Sequence, residues 1–146
     1  MKKSGIINGR LIGELTKVGH TGEVVICDAG FPVPTGANVI DLALVGGVPG
    51  FRQTLCALTN EFIFEGYVIF DTMKVYNREY YDFAVGLLTK QKQEEMTFSQ
   101  FIERTSRAKL VIRTGELAPC SNIILISASG VSEEVEKYTI CDNAEG

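Results

Sequence analysis

The chain contains a single histidine, His20, and eight residues further on an aspartate, Asp28. Imidazole gives and accepts a proton near neutral pH, and a nearby carboxylate can orient it or accept hydrogen bonds from a polyol. Together they offer a proton relay for a hydroxylated substrate. A lone histidine is nonetheless more often a surface or helix-capping residue than a catalyst, and a carboxylate ahead of Ala29-Gly30 is commonly a turn former. A second polar stretch runs from Arg113 to Asn122, between two apolar runs. Cys120, Ser121 and Asn122 place short hydrogen-bonding groups just before the second of these runs, where loops held by a rigid sheet often carry ligands. Within that stretch Arg113 and Glu116 can pair across the turn, and Ser121 and Asn122 can serve only its backbone.

Other chemistries find less support. With one histidine, a zinc site would need scattered thiolates and carboxylates, so no metal is expected. The four cysteines, Cys27, Cys56, Cys120 and Cys141, are widely and irregularly spaced, which argues against a disulfide framework. Gly46-Gly47-Val48-Pro49-Gly50 lacks a Walker lysine and the glycine spacing of a dinucleotide fingerprint, and there is no nucleophile elbow. Tyr76, Tyr80 and Tyr81 lie near Arg78, but the charge balance argues against a nucleic-acid partner.

The elements that must position these residues are read from apolar periodicity. Ile7, Leu11, Ile12, Leu15 and Val18 recur at helical spacing, with Asn8 as cap and Gly19 as terminator, so His20 falls in the loop that follows. Glu23 to Cys27 is a β-branched strand, which puts Asp28 at its carboxyl end. Further strands are expected over Val39 to Val45, Tyr67 to Phe70, Lys109 to Arg113 and Asn122 to Ile126. Helices are expected after Pro49, over Asn77 to Lys90, and after the Thr97/Gln100 capping box. This alternation predicts a three-layer α/β/α fold with a central mostly parallel or mixed sheet in a single domain.

The chain has 146 residues, 45% of them apolar, and a formal charge of −4. That charge resides in the segment 132–146, where Glu133, Glu134, Glu136, Asp142 and Glu145 face only Lys137. A neutral body over 1–131 with an acidic extension over 132–146 is expected to self-associate, since little repulsion separates its copies. No run is long and apolar enough to span a bilayer, and the N-terminus lacks a signal-like apolar stretch, so a cytoplasmic protein without a membrane partner is expected.

In order along the chain, Met1-Lys2-Lys3-Ser4-Gly5-Ile6-Ile7-Asn8, Gly19-His20-Thr21, Cys27-Asp28-Ala29-Gly30-Phe31-Pro32-Val33-Pro34, Ile40-Asp41-Leu42-Ala43-Leu44, Gly47-Val48-Pro49-Gly50-Phe51, Val111 to Glu116 and Ser121 to Leu125 resemble the ribose pyranase and fucose mutarotase family. The resemblance covers residues 1 to about 131. It implies a cofactor-free cytoplasmic isomerase that interconverts ring forms of a free monosaccharide, ribose in the pyranase branch. It further implies ring-shaped homo-oligomers, commonly decamers, with sites at subunit contacts. The catalytic histidine of the family falls on His20, and its sugar-binding residues fall on Asp28, Cys120, Ser121 and Asn122. Two positions depart from the family: Phe98 stands near where a second histidine is usual, and Cys120 where a tyrosine is usual. Alternatives are another monosaccharide such as L-fucose, a non-catalytic sugar-binding relative, or thiol chemistry with Cys120 as nucleophile and His20 as base.

Overall fold

A computed structural model describes residues 1–131 and Val135. Apart from Val135, the proposed acidic extension over 132–146 and its Cys141 lie outside the described residues. The elements run α1 (Gly9–Thr16), β1 (Glu23–Cys27), β2 (Val39–Asp41), α2 (Phe51–Glu61), β3 (Phe64–Phe70), α3 (Met73–Tyr76), α4 (Arg78–Leu87), β4 (Lys92–Met96), α5 (Phe98–Thr105), β5 (Leu110–Arg113) and β6 (Ile123–Ser127).

Local chemistry accounts for the helix starts. The Asn8 side chain accepts from Leu11 N at 3.0 Å, which satisfies a donor of the first turn of α1. At α5 the expected capping box forms in both directions, Gln100 N donating to Thr97 Oγ1 and Thr97 N to Gln100 Oε1. The end of α1 differs from expectation: Lys17 is the C-cap, so Val18 lies outside the helix, which stops before reaching Gly19 as its terminator.

The six strands form one mixed sheet in the order β2-β5-β1-β6-β3-β4. β2, β5 and β1 are parallel, as are β3 and β4, whereas β6 runs antiparallel to both β1 and β3. Val24 to Cys27 are all buried, so β1 is covered on both faces, as an α/β sheet requires. The strands depart from the sequence reading in these main respects. The strand expected over Val39 to Val45 ends at Asp41, because the chain leaves the sheet once Arg113, its last partner, is passed. β3 begins earlier, at Phe64, and the exposed β4 was not anticipated.

Because β6 alone runs against the rest, its amino end lies on the same sheet edge as the carboxyl ends of the other five strands. The topology therefore brings Asp28, Arg113 and the Ser121-Asn122 pair together. It also places His20, which precedes β1, at the opposite edge.

Candidate active site

Asp28 leaves β1 into a turn in which Gly30 N donates to its Oδ1 at 3.2 Å. From the start of β6, Ser121 N and Asn122 Nδ2 each donate to Asp28 Oδ2 at 3.3 Å, and Asn122 Oδ1 accepts from Asp28 N at 2.8 Å. Burial pushes the Asp28 carboxyl above the usual aspartate range, while the bonds from Ser121, Asn122 and Gly30 pull it back. Arg113 braces the turn, its Nε donating to Ala29 O at 3.1 Å and its Nη1 to Asp41 Oδ2 at 2.9 Å. The pairing of Arg113 with Glu116 suggested by the sequence does not form, because Asp41 lies directly across the β2–β5 pair from Arg113.

Cys120 has a left-handed backbone, φ 61°, which turns the chain so that Ser121 N can reach Asp28. Burial, with the charge of Asp28, raises its thiol, so it is a poor thiolate. The Ser121 side chain is buried, donating to Ala118 O and accepting from Asn77 Nδ2. Its hydroxyl holds the loop, and only its N–H faces Asp28.

Asp28, Cys120 and Asn122 border a cleft of about 390 Å³, whereas Ser121 and Arg113 are not among the residues that line it. Asp28, Asn122 and Glu116 form its polar side; Phe31, Phe70 and Phe98 contribute an aromatic wall, with the Phe98 ring 5.1 Å from Phe70 and 6.2 Å from Phe31. Such a wall suits the C–H face of a sugar ring. The wall was not singled out from the sequence, since phenylalanines read as core.

Glu116 is the other residue whose role was missed. Its Oε1 accepts from Phe51 N at 3.1 Å, at the start of α2, and its Oε2 from Leu117 N and Ala118 N. Burial works to raise this carboxyl, but the hydrogen bonds from the Tyr80 hydroxyl and these backbone groups prevail and lower it. Glu116→Ala would leave those donors unpaired and should cost about 2–4 kcal/mol, measured by urea unfolding. Since the folded carboxyl is the more acidic, its contribution is complete above the ordinary glutamate range and is lost as pH falls through the lowered value.

His20 does not meet Asp28. β1 separates them by roughly 16 Å at about 3.3 Å per residue, beyond the reach of a side chain. His20 instead pairs with Glu65 at the start of β3, Nε2 to Oε2 at 2.9 Å, with both side chains about half exposed. This excludes Asp28 as the group that orients its imidazole within one subunit, and it separates His20 from Cys120, the proposed nucleophile in the thiol alternative. Of the five site residues read from the sequence, Asp28, Cys120, Ser121 and Asn122 converge and His20 stands apart.

The buried Asp28 carboxylate beside the Asn122 carboxamide, opposite an aromatic wall, is chemically suited to a small uncharged polyhydroxy ligand on an α/β scaffold, while the second buried carboxylate, Glu116, is taken up by backbone donors. The chain belongs to the RbsD / FucU transport protein family, whose profile matches residues 1–131. It is 42% identical over 125 residues to D-ribose pyranase of Bacillus subtilis (strain 168), covering 86% of this chain and 95% of that one. The D-ribose pyranase of Geobacillus thermodenitrificans (strain NG80-2) is 40% identical over 132 residues, covering 90% of this chain and all of the relative. The structure of Bacillus subtilis RbsD complexed with D-ribose superposes with a TM-score of 0.84 at 41% identity, over 88% of this chain and 98% of that chain. A fucose mutarotase from Streptococcus pneumoniae, in complex with L-fucose, shares the fold with a TM-score of 0.71 at 22% identity, over 88% and 98% of the two chains.

Proposed function

We propose that this protein is a sugar mutarotase that interconverts the pyranose and furanose forms of a free pentose, D-ribose first among them. The observation that carries the reading is the convergence of Asp28 and Asn122 on an aromatic-walled cleft, in a chain that matches ribose pyranases over most of its length. Ring exchange requires that a base take the proton of the anomeric hydroxyl while the ring oxygen gains one. The bond from C1 to the ring oxygen then breaks, and the free aldehyde recloses through another hydroxyl. Imidazole suits both transfers. The reaction already proceeds in water, so acid–base catalysis with positioning is sufficient.

His20 supplies that imidazole from a neighbouring copy, since within one subunit β1 holds it at the far sheet edge. The surface beside the cleft fits a subunit contact: Leu117, which lines the cleft, is well exposed and lies over Gly46, and Leu44 and Val45 are exposed on the segment that leads to that glycine. These apolar groups would be covered in a homo-oligomer, for which a decameric ring is the expected form. Cys120 flanks the sugar, Ser121 keeps its loop in shape, and the work is done in the cytoplasm. Among the described residues no helix is long and apolar enough to cross a membrane. The test is saturation transfer by NMR between the ring forms of D-ribose. Accelerated exchange supports the reading, and unchanged exchange across several monosaccharides refutes it.

The aromatic wall favours a second reading of the substrate, a sugar that presents hydrogen or methyl rather than a hydroxyl to Phe98. Phe98→His adds a hydrogen-bonding group to that wall and should lower KM for D-ribose about tenfold, the equivalent of one good hydrogen bond. Phe98→Leu keeps the wall apolar and should leave that KM nearly unchanged. Equal KM values for the two variants would mean that the sugar does not meet this wall.

A further inference from the structure

Glu65 has no assigned role, yet the backbone around it and around His20 is shaped to bring the two together. On β3, Phe64 lies opposite Ser127 of β6 and Gly66 lies opposite Ile126, so Glu65 is an extra residue in the ladder. A bulge of this kind bends the strand and re-aims the side chain of the inserted residue. Gly66 permits close packing beside it, since a Cβ there would stand 3.1 Å from Lys92 O.

His20 is fixed from the other side. Thr21 adopts φ 65°, a conformation uncommon outside glycine, and Thr21 N donates to Ser127 O at 3.0 Å. Ser127 N in turn donates to Gly22 O at 2.9 Å. Gly22 admits this turn because a Cβ would lie 2.7 Å from Val18 Cγ1. Ser127 thus anchors the His20 turn on one side and faces the bulged strand on the other. An exposed ion pair adds little to stability, so stability does not account for two backbone irregularities that meet at one contact. Among the described residues no other side chain hydrogen-bonds His20 or Glu65.

We propose that Glu65 is a positioning residue for His20, fixing its tautomer and orientation for ring opening; this rests on the mutarotase reading above and extends it to a residue that does not touch the sugar. A carboxylate oxygen only accepts, so the Nε2 that faces Glu65 carries the hydrogen, and the lone pair of a neutral imidazole is left on Nδ1. Nδ1 then takes the anomeric proton, and Glu65 stabilises the imidazolium until the proton passes on to the sugar. Without Glu65 the imidazole divides between tautomers and orientations.

One histidine gives one imidazole spin system, so ¹H–¹⁵N correlation at alkaline pH reads the tautomer directly. Wild type should show Nε2 protonated and Nδ1 bare. Glu65→Ala should show averaged nitrogens and a 10- to 100-fold lower kcat with KM within twofold. Glu65→Gln, whose amide oxygen still accepts but carries no charge, should keep the tautomer with an intermediate kcat. The proposal is overturned if Glu65→Ala retains the wild-type tautomer and kcat, or if its loss falls wholly on KM. If wild type exchanges no sugar, the mutarotase reading fails, and the tautomer shift in Glu65→Ala decides by itself whether Glu65 positions His20.

Discussion

His20→Ala should slow sugar ring exchange by about 10²- to 10⁴-fold, the range a positioned acid–base group contributes. No other group in the cleft can replace it. Asp28 and Asn122 are given over to holding the sugar and each other, Glu116 spends both oxygens on backbone and Tyr80, and Cys120 holds a thiol that burial keeps protonated. The effect should fall on kcat, with KM for the sugar close to wild type, because Asp28, Asn122 and the aromatic wall remain. His20 is half exposed and its ion pair with Glu65 is a surface one, so the thermal midpoint should move little, equivalent to less than about 1 kcal/mol. Saturation-transfer rates beside a melting curve separate the two effects. A His20→Ala protein with full exchange would remove the imidazole from the mechanism.

The sequence made part of this site legible, for local reasons. β1 is a β-branched run with a turn behind it, so the position of Asp28 at a strand end follows from nearest neighbours. Cys120 to Asn122 stand out as polar residues bordering an apolar strand. α5 announces itself through Thr97 and Gln100, both ends of one capping box. β4 gave no such signal, because Lys92 to Glu95 are exposed and join the sheet through backbone bonds to β3 alone. The pairing of His20 with Asp28 misled because they are neighbours in sequence: the strand between them carries them to opposite edges. Glu65 was invisible for the converse reason. Its meeting with His20 depends on the register of β3 against β6, a non-local property that no spacing in the chain encodes.

If each site draws Asp28 from one copy and His20 from another, two inactive proteins should make an active one. His20→Ala lacks the base, and Asp28→Asn lacks the carboxylate that holds the sugar, so each alone should exchange ribose at least tenfold more slowly than wild type. When the two variants assemble at random in equal amounts, half of the Asp28 positions and half of the neighbouring His20 positions are intact. About a quarter of the sites then combine both, and about a quarter of wild-type activity should return. Co-purification on two different tags shows that mixed assemblies form, and the same saturation-transfer measurement reads the unselected mixture. A site built within one subunit predicts no recovery at any mixing ratio, since every copy would carry a lesion. The expected fraction does not depend on how many subunits close the ring. Activity returning toward one quarter therefore tests the shared site itself, and size-exclusion chromatography of the same mixture then gives the number of copies that share it.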